Sequence, residues 1–169
     1  TLASITLPQT LKHIGHACFS GSAITNVTFP NNIVNIDGFN DCESLETIVI
    51  PEGAESIEPY AFSGCKTMTS VVLPNSVETI DYGAFDGLLN LVSVHIPEST
   101  TVIGERAFMK CSSLEEVIFS EGLRIIEKDV FYGCSGLRNV VLPESLLAIG
   151  SNAFSKCIAL ENLTLNQSL

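Results

Sequence analysis

The chain repeats itself, and the repeat constrains the fold more than any local propensity does. A Pro closes a short β-like run at Pro8, Pro30, Pro51, Pro74, Pro97 and Pro143, and Ser120 and Asn166 hold the same place in two further runs. The steps between these anchors are 22, 21, 23, 23, 23, 23 and 23 residues. Only Pro59 lies outside the column. Eleven residues after the anchor stands a Phe (Phe19, Phe62, Phe85, Phe108, Phe131, Phe154), and in the short second unit Phe39 comes two residues early. Fourteen after the anchor stands Cys65, Cys111, Cys134 or Cys157, with Leu88 substituting once and Cys42 in the shortened unit. Three residues further on come Leu45, Met68, Leu91, Leu114, Leu137 and Leu160. Self-similarity at such a period is the signature of stacked structural repeats.

Each unit reads physically. Val117-Ile118-Phe119 alternates in, out, in, as a strand does, and so do Ile48-Val49-Ile50, Val94-His95-Ile96 and Val140-Val141-Leu142. Pro then removes a ladder donor and ends the strand. A second extended stretch follows, as in Val77-Glu78-Thr79-Ile80 and Leu146-Leu147-Ala148-Ile149. Gly15, Gly104 and Gly150 come next, which reads as a tight bend. The Ala-Phe-x-x-Cys piece suits one or two helical turns, too short to stand without packing from its neighbours. No single unit can bury its own apolar face, whereas stacked units can, as parallel rungs about 4.8 Å apart. Eight strands at that spacing imply a solenoid roughly 35 Å long.

Composition removes several function classes. Eight Lys+Arg against 19 Asp+Glu give a net charge of -11 and a pI near 4.5. Nucleic acid and anionic membranes both require a basic footprint, so neither is an expected partner. No apolar run approaches the length of a membrane span. Hydrophobic residues at 46% supply a sizeable core in place of disorder.

The pattern L-x-x-V-x-[IL]-P followed by I-G-x-x-A-F-x-x-C resembles the BspA-type leucine-rich repeat, from Leu2 to about Leu165. Residues 1–169 are accordingly expected to form a single leucine-rich-repeat domain. The expected fold class is an α/β, β-rich repeat solenoid. It would be a right-handed superhelix of about seven 23-residue units with short helical turns. The first unit departs from the pattern, with Ala17-Cys18-Phe19 and Ser22, and Ser120 and Leu88 break the Pro and Cys columns. Neither end carries a polar cap of the kind a solenoid needs, which reads as a piece of a longer chain. The resemblance implies a secreted or surface-attached protein, a non-enzymatic role in protein binding, and adhesion to host matrix or plasma proteins such as fibronectin and fibrinogen.

Candidate chemistry is sparse. Five of the six Cys share one column, and stacked Cβ atoms near 4.8 Å neither meet nor face each other as a disulfide requires. Leu88 in the same slot shows that an apolar side chain suffices there, and Cys18, beside the Phe column, is expected to be buried too. No Cys/His grouping has zinc-site spacing, and His13 and His16 occur in the first unit alone. No nucleophile elbow, phosphate loop or H-E-x-x-H pattern is present, so neither enzyme activity nor a cofactor or metal is expected.

The outward strand column carries more information. It runs Thr6, Thr28, Val49, Val72, His95, Ile118, Val141, Thr164, with small polar residues two positions upstream. Glu52, Glu98, Glu121 and Glu144 follow the anchors on the other side. One reading is that Val, Ile and Thr merely suit strands. Another is a protein-binding strip, since apolar patches rimmed by polar groups mark interaction sites. Val49, Val72, His95, Ile118 and Val141 are then the contact residues, and the four Glu favour a basic patch on the partner. A structural spacer that displays other domains is the alternative. Uncapped edge strands also permit end-to-end self-association. Asn26, Asn162 and Asn166 open N-x-[ST] sequons, and glycans at the first two would narrow the strand face.

Overall fold

The computed structural model describes residues 2–165. Fourteen short strands follow in chain order among them. They are β1 (Ser4–Thr6), β2 (Asn26–Thr28), β3 (Asn35–Ile36), β4 (Thr47–Val49), β5 (Ser56–Ile57), β6 (Ser70–Val72) and β7 (Thr79–Ile80), then β8 (Ser93–Ile96), β9 (Val102–Ile103), β10 (Glu116–Phe119), β11 (Ile125–Ile126), β12 (Asn139–Val141), β13 (Ala148–Ile149) and β14 (Asn162–Thr164). Each unit is one coil of a parallel β-solenoid. The strand before each anchor forms one wall, hydrogen-bonded as β1-β2, β4-β6 and β8-β10-β12-β14. The second extended stretch forms another wall, the continuous six-stranded sheet β3-β5-β7-β9-β11-β13. Pairing is parallel and in register, as in Val49↔Val72, Ile118↔His95 and Ile126↔Ile149.

The third wall corrects the expected fold class. Among the described residues there is no helix, so the solenoid is not α/β and the Ala-Phe-x-x-Cys pieces are not helical turns. Two residues per coil, nine and thirteen after the anchor, sit in the left-handed region: Tyr60 and Gly64, Gly83 and Gly87, Arg106 and Lys110, Asp129 and Gly133, Asn152 and Lys156. A left-handed residue every four positions cannot belong to a right-handed helix. The hydrogen bonds show what replaces it. The N–H groups of Ala61, Ser63 and Cys65 close local turns onto the carbonyls of Glu58, Tyr60 and Phe62. The alternate N–H groups, of Tyr60, Phe62 and Gly64, point the other way and donate to Tyr82, Ala84 and Asp86 of the next coil. The same alternation recurs from Arg106 through Lys110. The backbone therefore pairs between coils on this wall as it does on the strand walls, which satisfies its buried donors without a helix.

The core consists of ladders of like side chains. Phe19, Phe39, Phe62, Phe85, Phe108, Phe131 and Phe154 stack with ring centroids 5.2–5.8 Å apart and planes within 24° of parallel. That is the offset-stacked range for aromatic pairs. The Cys column lies beside them, and its thiols are free. Cys65, Cys111, Cys134 and Cys157 are buried, and each donates through Sγ to the carbonyl of a Phe, Phe39, Phe85, Phe108 and Phe131 respectively, at 3.1–3.2 Å. The slot thus accepts an apolar group but also offers an acceptor to a thiol; opposite Leu88 that carbonyl, of Phe62, accepts from the Cys65 N–H. Burial pushes the thiols of Cys65 and Cys157 up to about 12. Cys18 is exposed, contrary to expectation. It occupies, in the first described coil, the position of Ala61, Ala84, Ala107 and Ala153, which are buried.

Glycine after the second strand serves close approach more than bending. A Cβ on Gly150 would lie 2.4 Å from the backbone nitrogen of Lys128, and neither Gly104 nor Gly150 has a positive φ.

Candidate functional site

The strand wall presents the outward column as the sequence pattern predicts. In β4, β6, β10 and β12 the central residue is buried and its neighbours are exposed, because in-register strands turn alternate side chains to opposite faces. Val49 and Val141 are 64% and 68% exposed, and Val72 and Ile118 are about half exposed, at 51% and 49%. These are large apolar side chains held in water by backbone geometry. His95 lies between Val72 and Ile118 in the column order and is also exposed. Its Nε2 lies 2.9 Å from Oγ of Ser120. Two departures from the repeat therefore meet here. Ser120 replaces the anchor Pro, and its N–H donates to the Ile96 carbonyl at 3.2 Å, a bond Pro could not make.

The wall is not one sheet. Hydrogen-bonded pairing is interrupted between β2 and β4 and between β6 and β8, so Val49 and Val72 belong to one ribbon and His95, Ile118 and Val141 to another. The first interruption falls at the shortest unit, where the 21-residue step changes the path of the coil. A depression of about 370 Å³ lies there, lined by Asn26, Thr28, Asn31, Thr47, Val49 and Pro51 among others. A second, of about 330 Å³, brings Ile118, Val141, Glu121, Asn139 and Pro143 together between β10 and β12.

Glu52, Glu98, Glu121 and Glu144 are all exposed beyond the strands. Glu121 differs from the others. Its carboxylate accepts from the backbone N–H groups of Glu144 and Ser145 at 3.1 Å, so it fastens the following coil. Asn26 and Asn162 are exposed on the strand wall, and Asn162 donates to the Asn139 side chain at 2.9 Å. The Asn166 sequon lies outside the described residues. His16, which has no nearby acid in the sequence, reaches Asp37 of the next coil at 3.5 Å. Among the described residues no cluster of His, Cys, Asp and Glu has the makings of a metal site, and no helix is long and apolar enough to cross a membrane.

One feature was not singled out from the sequence. On the turn wall, Arg106, Met109, Lys110, Asp129, Tyr132 and Asn152 line a cleft of about 370 Å³. Its signal was present in the columns nine and thirteen after the anchor, where Arg and Lys replace the Gly of earlier coils.

Comparison with known proteins gives a consistent picture. The profile of the BspA type leucine rich repeat region matches in six copies over residues 1–115 and 34–161. A leucine-rich repeat protein from Bacteroides ovatus is 29% identical with a TM-score of 0.73, over 99% of this chain and 52% of that one. The pneumococcal vaccine antigen PcpA is 25% identical with a TM-score of 0.67, over 99% of this chain and 51% of that one. A leucine-rich repeat protein from Eubacterium ventriosum, at 22% identity and a TM-score of 0.72 over 97% of this chain and 55% of that one, shares the fold. The chain thus spans about half the length of these structures. No curated protein matches it significantly.

Proposed function

The chain belongs to the BspA-type leucine-rich repeat family, and from that premise we propose that it is a non-catalytic protein-binding module of a secreted or surface protein, engaging host matrix or plasma proteins through its strand wall. One observation carries the reading. Val49, Val72, Ile118 and Val141 are kept about half or more exposed on a backbone that could as readily display Thr, as it does at Thr6, Thr28 and Thr164. Exposed apolar groups rimmed by polar ones are the usual mark of an interaction surface. His95 adds a polar contact among them, and Glu52, Glu98 and Glu144 supply a rim that favours a partner with basic groups. Glu121 contributes its charge while holding the next coil. A vaccine antigen among the similar structures supports a surface location.

A rod that displays other domains is the second reading, favoured by the pairing of backbone groups between coils on all three walls. Binding to immobilised fibronectin and fibrinogen separates the two. Saturable binding lost in an Ile118→Glu, Val141→Glu double variant of unchanged circular dichroism supports the strand-wall site. Equal binding by both proteins rejects that site, and no binding to either ligand moves the weight to the rod.

A further inference from the structure

We propose that the hollow between β10 and β12 is a socket for a single basic side chain, lysine or arginine, presented by the protein that docks on the strand wall. This rests on the reading of that wall as a protein-binding surface and names the chemistry it selects. Two hollows on the wall occupy the same place in the repeat. The one at the β2–β4 interruption is lined on its first coil by Asn26, Thr28 and Asn31, and the one between β10 and β12 by Glu116, Ile118 and Glu121 at the same three positions. On the following coil Val49 and Pro51 close the first, and Val141 and Pro143 close the second. The backbone thus repeats the hollow, while the side chains change it from neutral and polar to apolar and anionic.

A loosened ladder opens both. β2 and β4 are not paired, and β10 pairs with β12 only at Glu116↔Asn139. Three or four residue pairs join β1-β2, β4-β6, β8-β10 and β12-β14. The second hollow, of about 330 Å³, lies at the lower end of the range for small-ligand pockets. That suits one long side chain better than a folded element.

Charge complementarity selects the occupant. The described lining of the hollow holds two carboxylates and no cation. The backbone N–H groups of Glu144 and Ser145 hold the Glu121 carboxylate at the Pro143 end, at 3.1 Å each. Glu116, two residues before Ile118, stands at the other end. Glu98 and Glu144 are exposed beside Glu121 in its column, on the coils before and after. Arg138, the cation next to the lining in sequence, lies in another column, joined through the backbone to Glu115 on one side and Glu161 on the other. A second copy of the chain would bring 19 Asp+Glu against 8 Lys+Arg to this acidic wall, so the occupant is a different protein with a basic surface. The aliphatic stem of its lysine or arginine lies against Ile118 and Val141, and the charged head meets a carboxylate at the rim. A neutral side chain gains only the apolar contact, and an acidic one is repelled.

The test is a nuclear magnetic resonance titration with the end-capped peptide Thr-Val-Lys-Val-Thr and its analogues carrying Arg, Gln or Glu at the centre. The amides of Ile118 and Val141 report the socket, and those of Thr28 and Val49 report the neutral hollow. Saturable shifts at Ile118 and Val141 are expected with the Lys or Arg peptide, and the stronger of the two identifies the preferred cation. The Gln peptide should bind roughly tenfold more weakly, as the loss of a charge-assisted contact predicts, and the Glu peptide should not bind. Thr28 and Val49 should not move. A Glu116→Gln, Glu121→Gln variant should weaken the Lys peptide by about tenfold. A Glu55→Gln, Glu78→Gln variant changes net charge equally on the six-stranded wall and should bind as the parent does. Glu116→Gln alone leaves the bonds from Glu121 to the next coil intact and should still weaken binding. Absence of shifts, equal response to the Lys and Gln peptides, equal movement at both hollows, or equal weakening in the two double variants overturns the proposal. So do shifts at Ile118 and Val141 that grow with protein concentration alone, which would assign the hollow to a second copy. Peptide binding without any binding to fibronectin or fibrinogen keeps the socket and rejects the host-protein reading, and the reverse result does the opposite.

Discussion

Phe108 tests the view that the aromatic ladder, and not any one coil, carries the stability. It is fully buried, with Phe85 stacked at 5.2 Å on one side and Phe131 at 5.6 Å on the other. Truncation to Ala removes a buried ring and leaves a cavity bounded by two rigid neighbours, a change that costs about 3–5 kcal/mol. Two stacked pairs are lost as well, each worth about 0.5–1.5 kcal/mol beyond area burial. Part of that is already counted in the truncation figure, so about 4–5 kcal/mol is expected for Phe108→Ala. Phe19 provides the comparison. It is only partly buried and stacks on Phe39 alone, at 5.2 Å. Phe19→Ala should therefore cost less than half as much. Coils interact chiefly with their neighbours, so a defect in the middle divides the solenoid while one at the first coil only shortens it. Urea unfolding followed by circular dichroism measures both effects. Phe108→Ala should lower the midpoint strongly and broaden the transition or split it in two, whereas Phe19→Ala should shift it slightly at constant slope. Equal losses at the two sites, or a cost at Phe108 below about 2 kcal/mol, would refute the reasoning.

Thiol chemistry should follow burial. In the native protein a maleimide reagent at neutral pH should modify Cys18 rapidly and the other five of the 6 cysteines only after denaturation, which mass spectrometry reads directly. Because burial raises the folded thiols of Cys65 and Cys157 to about 12 while an unfolded thiol ionises near 8.5, the unfolded state gives up protons first as pH rises. Stability is then fully present below about pH 8.5 and falls progressively toward pH 12; a midpoint in urea unchanged between pH 8 and pH 11 would contradict this. Gly122→Ala should cost about 1–3 kcal/mol by overpacking, since its Cβ would lie 1.8 Å from the Glu98 carbonyl oxygen, and thermal unfolding measures the loss.

What the sequence made legible was whatever the repeat expresses through side-chain alternation. Val117-Ile118-Phe119 reads as a strand because period two has no competitor over so short a run, and β10 is observed there. The turn wall was misread because Ala107-Phe108-x-x-Cys111 places its apolar residues at spacings of one, three and four, which a helical turn shares with a chain of tight turns. Burial at those positions is the same in both conformations. The distinguishing signal was backbone chirality, and Gly64, Gly87 and Gly133 in one column expressed it. Arg106, Lys110 and Lys156 obscured it by occupying left-handed positions themselves.

Those substitutions indicate where individuality resides in such a molecule. Columns filled by the same residue in every coil answer to stacking, since a Phe or buried Cys that fits one rung fits the next. A repeated position can carry function only where it departs from its column at no gain to packing. Ser120 departs and compensates itself with a backbone hydrogen bond to Ile96, so its meeting with His95 has a structural explanation. Leu88 departs and remains buried in the core. Lys110 and Lys156 depart by placing a Cβ in a left-handed column that Gly64, Gly87 and Gly133 fill elsewhere. Val49, Val72, Ile118 and Val141 likewise trade the Thr of the outer coils for apolar exposure. The solenoid gains nothing in packing from that exposure, and this is why a protein against the strand wall is where binding should be sought.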